Sequence, residues 1–180
     1  MKFEKHKKLR AKILRYFDRA GIALTSVERK NIEIADFGLK NVEKTGLQLV
    51  TYINTERVCA KEMVLLPHQT CPEHRHPDLE KELGKEETFR CRKGKVYLYV
   101  EGEETKGRKA HPPKGDEAYY TVYHEIVLKE GEQYIIYPSI LHWFQGGKDG
   151  AVISEFSTKS TDEADVFTDP RIKRIPEAEA

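Results

Sequence analysis

Leu9, Ile13, Phe17 and Ala20 recur at helical spacing across residues 2–20, Lys and Arg fill most of the other face, and Gly21 stands just past the end. This predicts an amphipathic helix that lays one stripe on an apolar surface and stops at the glycine. From residue 31 the period changes. The pieces "NIEIADFGL", "GLQLVTYINTE", "VCAKEMVLLP", "EETFRCRKGKVYLYVEG", "EIVLKEGEQYIIYP" and "GAVISEFST" are short and β-rich, and Gly, Pro and Asn separate them. Val96, Leu98 and Val100 alternate with Tyr97 and Tyr99, the mark of an antiparallel strand with one buried face. The pattern predicts an all-β sandwich or barrel with an N-terminal α-helix.

Two polar stretches interrupt it. Residues 102–120, "GEETKGRKAHPPKGDEAYY", are longer than most hairpin loops and read as a lid or a mobile excursion. The tail "RIKRIPEAEA" reads as partly disordered. The expected organisation is one domain over residues 1–180: a helix at 1–22, a barrel at 31–160 and a C-terminal extension at 161–180.

Charged residues make up 34% of the 180 but nearly cancel, leaving a net charge of +1. No basic field points to nucleic acid or to an anionic membrane, so a small or neutral partner is expected. Glu4 and Asp18 interrupt the basic face of the first helix, which reads as solvated. The chain shows neither a bilayer-length apolar run nor a secretory signal, and a cytoplasmic location is expected. Cys59, Cys71 and Cys91 lack the spacing of a disulfide framework or a zinc site and read as reduced, structural residues.

In "EHRHP", His74 and His76 are one residue apart, so an extended strand projects both imidazoles from one face. "KEETFRCRKG" supplies carboxylates where a strand begins, and "YPSILHWFQ" supplies His142 far downstream. Three imidazoles and one carboxylate suit a divalent transition ion with positions left open for water or substrate. His6, His111 and His124 read instead as surface or hydrogen-bonded histidines.

These motifs resemble the cupin superfamily, whose first motif runs HxH, then Glu, six residues and Gly, and whose second contributes Pro and a later His. Glu87 keeps that distance to Gly94, whereas Glu86 falls on the opposite face of the strand. The chain departs from the pattern in the ten residues between His76 and Glu87, in the four-residue step from Pro138 to His142, and in His68 where a Gly usually leads. Lys85-Glu86-Glu87, "ETFRCRKGKVYLYVEG", "YPSILHWFQGG" and "VISEFST" are similar to the D-lyxose isomerase family within the cupins.

That resemblance implies a jelly-roll type cupin β-barrel and an aldose–ketose isomerase that interconverts D-lyxose and D-xylulose, and D-mannose and D-fructose, through an enediolate. It implies His74, His76, Glu87 and His142 as ligands of a divalent ion, with Mn2+ expected and Zn2+, Co2+, Fe2+ or Ni2+ compatible. It also implies Glu155 as base, Lys85 as oxyanion partner or proton relay, and Asp165 or Asp169 with Arg171 completing the set. The expected assembly is a homodimer acting on a monosaccharide. Trp143 and Phe144 read as core or as an apolar wall for the sugar, and the acidic loop 77–84 as part of the pocket rim. Competing readings are a non-haem iron dioxygenase, which need not carry Lys85 and a carboxylate base, and a non-catalytic sugar-binding cupin, which need not carry the full ligand quartet.

Overall fold

A computed structural model describes residues 2–174, with side chains from residue 7 onward. The end of the tail and the side chain of His6 lie outside the described residues.

Helix α1, Lys2–Arg19, buries Leu9, Ile13 and Phe17 against Val50, Val64 and Val152 of the sheet and Leu66 just beyond it. Each such side chain contributes about 1.5–3 kcal/mol by leaving water. Gly21, at φ +69°, turns the chain out of the helix. A short helix α2, Ser26–Lys30, follows, its first turn closed by reciprocal bonds between Thr25 and Glu28.

Among the described residues nine strands form one antiparallel sheet: β1 Glu33–Ala35, β2 Leu47–Asn54, β3 Cys59–Leu65, β4 Thr70–Arg75, β5 Glu87–Val100, β6 His124–Lys129, β7 Gln133–Ile136, β8 His142–Ser157 and β9 Val166–Phe167. The long strands β5 and β8 pair along almost their whole lengths, from Glu87↔Ser157 to Val100↔His142. At one end of this ribbon β8 continues into β3, β2 and β1 while β5 takes β7. At the other end β8 takes β4 and then β9, while β5 takes β6. A shared bend therefore lets two strands serve two faces of a folded sheet. Gly94 and Gly150, both at φ +79°, meet at that bend. A Cβ on Gly94 would lie 2.2 Å from the Gly150 carbonyl oxygen, so only glycine fits there.

Between the faces lies an apolar core that includes Leu49, Met63, Leu65, Phe89, Leu98, Phe144 and Ile153. The structure differs from the sequence pattern on the opposite face of β5. Tyr99 is fully buried, stacked on Trp143 at 4.0 Å beneath Ala110 and Tyr120. Within and just after the polar stretch 102–120, Ala110, Tyr119, Tyr120, Val122 and Tyr123 are thus packed over the outside of the sheet, while residues 102–104 stay exposed. Trp143 belongs to this outer layer, whereas Phe144 faces the core.

Candidate active site

The ends of three strands meet at one mouth of the folded sheet. His74 points inward near the end of β4, His76 is the first residue beyond it, Glu87 opens β5 and His142 opens β8. All four are buried. The register pairs His74 with His142, and their rings lie 4.3 Å apart. One nitrogen from each of the three histidines falls within 4.8 Å of the others. Glu87 Oε1 stands 3.2 Å from both His76 Nε2 and His142 Nε2.

The other ring nitrogens are occupied. His74 Nδ1 donates to the Pro72 carbonyl at 2.8 Å, His142 Nδ1 to the Ile140 carbonyl at 2.9 Å, and His76 Nδ1 to Asp165 Oδ1 at 2.5 Å. In His74 and His142 these bonds select the tautomer whose Nε2 lone pair faces the centre, the arrangement found around ligated metals, and His76 would reach it on giving up its second proton to an ion. His142 Nε2 is buried with no hydrogen-bond partner, an orphan that a cation would satisfy. Burial, reinforced by His142 and His76, holds His74 well below its ordinary pKa and hence neutral, the form that binds metal. Burial alone would lower His76 too, but the Glu87 and Asp165 carboxylates outweigh it and push that imidazole up to about 9. The donor set fits a divalent transition ion.

The acidic loop does not disturb this geometry because both of its ends are tied. The His76 carbonyl accepts from Ser139 N at 2.9 Å, and Gly84 packs so closely on it that a Cβ would lie 2.1 Å away. Asp78 Oδ1 accepts from Gly84 N at 2.8 Å, and Leu79 and Glu82 form a bridge across the loop.

Lys85 lies just before β5, buried, with Nζ 2.6 Å from Glu87 Oε2 and 3.1 Å from Glu155 Oε1. Burial would release its proton, yet Glu155 and Glu87 more than offset this and hold the ammonium well above its ordinary pKa. Glu87 is held well below its own against burial, by Lys85 and His76. Glu155, in the inward register of β8, is 3% exposed.

A cavity opens beside these groups. Phe37, Leu47, Leu49 and Met63 give it an apolar side, and Lys61, Asp162, Asp165 and Arg174 join the site residues on the polar side. Four carboxylates (Glu87, Glu155, Asp162 and Asp165) face three cations (Lys61, Lys85 and Arg174) and the His76 imidazolium. A divalent ion that displaced the His76 proton would leave the site net positive and favour a substrate that acquires negative charge.

The structure therefore gathers His74, His76, Glu87, His142, Lys85, Glu155 and Asp165. It does not gather Asp169 and Arg171 at the cavity. Arg171 binds Asp169 and Asp116, each at 2.6 Å from Nη2, and lies over the Tyr119 ring, clamping the C-terminal segment to the outer loop. The arginine that lines the cavity is Arg174, three positions on. Sequence reasoning missed Lys61, Asp162 and Arg174. A signal existed for Lys61, which occupies the inward register between Cys59 and Met63 on β3.

The D-lyxose isomerase family model matches residues 22–180. The D-lyxose/D-mannose isomerase of Thermosediminibacter oceani is 61% identical over 179 residues, 99% of each chain. The D-lyxose ketol-isomerase of Cohnella laeviribosi is 60% identical over 167 residues, 93% of this chain and 92% of that one. Among solved structures, the L-ribose isomerase of Cellulomonas parahominis with L-ribose superposes with a TM-score of 0.78 at 15% identity, over 94% of this chain and 93% of that one. The Acinetobacter sp. DL28 L-ribose isomerase in complex with L-ribose gives 0.76 at 15%, over the same shares. At such identities these structures share the fold, a cupin-like β-sandwich. The family match and the two full-length relatives place the chain in the D-lyxose isomerase family, a family of aldose–ketose isomerases.

Proposed function

We propose that this chain is a metal-dependent isomerase that interconverts D-lyxose and D-xylulose, and D-mannose and D-fructose, by proton transfer between C2 and C1. The names of its relatives favour these sugars. The observation that carries the mechanism is the meeting of three imidazole nitrogens and Glu87 beside a buried Lys85–Glu155 pair.

His74, His76, His142 and Glu87 would hold the ion, with Mn2+ as the proposed species. When bound, a divalent ion polarises a carbonyl and stabilises negative charge on its oxygen. Glu155 takes the C2 proton of the open-chain aldose, exchanges it with solvent and delivers a proton to C1. Lys85, kept protonated between two carboxylates, gives a proton to O1 and recovers one from O2, so that the hydroxyl proton moves as the carbonyl does. Asp165 acts through His76, whose ring it orients. The apolar side of the cavity limits the access of water to the enediolate.

The test is conversion across a sugar panel in D2O. D-lyxose should yield D-xylulose carrying solvent deuterium, and Glu155→Gln should lower kcat about 10²–10⁴-fold. Product without deuterium would point to a hydride shift, and unchanged turnover in Glu155→Gln would remove Glu155 from the chemistry.

A further inference from the structure

Lys61 is a buried cation to which the mechanism above gives no task. It stands on β3 directly across the ladder from Glu155, its side chain 5% exposed. Burying an ammonium is costly unless partners replace its water, and Lys61 has them on two sides. Nζ donates to Ser160 Oγ at 2.8 Å and to Asp162 Oδ1 at 3.0 Å. Asp162 is itself held by Arg174 Nη2 at 2.6 Å, and Arg174 Nη1 reaches Glu33 Oε1 at 2.6 Å. The lysine head is thereby fixed from β1 through the C-terminal segment.

On its other side Nζ lies 3.8 Å from Glu155 Oε1. The same oxygen receives Lys85 Nζ at 3.1 Å and Ser157 Oγ at 3.2 Å. Among the described residues, the closest approaches to this carboxylate all fall on Oε1. A base held by one oxygen presents the other in a defined direction, and this kind of orientation governs proton-transfer rates.

We propose that Lys61 is a positioning residue of the reaction: with Lys85 and Ser157 it anchors Oε1 of Glu155, so that Oε2 is the oxygen that takes the proton from C2 and delivers one to C1. This rests on the isomerase reading. It differs from a structural role, in which Lys61 would only tie Asp162 and the C-terminal segment to β3. Loss of such a tie lowers thermal stability but leaves kcat of the folded protein unchanged.

Lys61→Met removes the ammonium at similar length. Lys61→Arg keeps the charge and the bond to Asp162 but brings a different head to Oε1. With the metal-loaded proteins assayed well below their unfolding temperatures, kcat should fall in the order wild type, Lys61→Arg, Lys61→Met. The Met variant should lose roughly 10- to 100-fold, with metal content kept and KM changed far less than kcat. If Lys61→Met does not fold, Lys61→Arg decides alone, by a lowered kcat at wild-type KM and metal content. Wild-type kcat in either folded variant overturns the assignment of Lys61 while leaving the isomerase reading intact. A wild-type protein inert on every sugar overturns both.

Discussion

Glu73 and Glu87 are both buried carboxylates, 1% and 2% exposed, on opposite sides of the same sheet. Glu73 faces outward beneath the 102–123 layer. It accepts from Thr121 N at 2.5 Å, Thr121 Oγ1 at 2.9 Å, Val122 N at 3.1 Å and Thr168 Oγ1 at 2.7 Å. All four donors are neutral, and their effect is to pin the loop and the residue after β9 to β4. Glu87 faces inward among Lys85, His76 and His142. All three are ionisable, and one imidazole nitrogen there lacks a hydrogen bond. Burial alone does not separate a structural carboxylate from a functional one. The partners do, because neutral donors complete a network, whereas convergent titratable groups leave capacity for a cation and a substrate.

Substitutions should break the comparison in a definite order. The largest effect is expected for His142→Ala, which removes an inward ligand. Bound metal should fall and kcat/KM should drop by more than about 10³-fold, read by metal analysis and sugar turnover. Asp165→Asn should cost about 10- to 100-fold in metal affinity, because His76 loses the carboxylate that fixes its ring. Competition with a chelator measures this without any assay of activity. Glu73→Gln should do the reverse. An amide group facing four donors should destabilise the fold by about 1–3 kcal/mol, seen as a lower Tm with metal affinity and kcat unchanged.

The smallest effect concerns pH. Burial alone would raise the Asp162 carboxyl, but Lys61, Arg174 and Lys85 outweigh it and hold it well below its ordinary value. A depressed pKa stabilises the fold above the unfolded value, near ~4, and that stabilisation is lost as pH falls below it. The Tm gap between wild type and Asp162→Asn should therefore be constant around neutrality and shrink below about pH 4.

The inward quartet was legible in the sequence because strands convert spacing into direction. His74 and His76 share a face, Glu87 stands at a fixed distance from the glycine of the bend, and His142 follows a proline turn. The ten residues after His76 looked like a departure and are structurally closed off by Gly84. Strand β8 was read only from residue 150, because the glycines at 146 and 147 resemble a boundary; in the fold they lie within one strand that pairs β5 on both sides of its bend. The cavity's second layer of charged groups was less legible. Lys61, Asp162 and Arg174 are single charges in a chain where 34% of residues are charged, and Asp162 and Arg174 lie in a segment with little regular structure to fix a register. Arg171 and Arg174 look alike in "RIKR", yet only Arg174 lines the cavity.

The central claim is that the buried quartet holds an ion on which isomerisation depends. It is tested most directly by stripping the protein with a chelator and following D-lyxose to D-xylulose before and after Mn2+ is returned. The account predicts loss of turnover in the stripped protein and recovery on reloading in the wild type, with no recovery in His142→Ala. Full turnover in protein shown by metal analysis to be free of ions would contradict it.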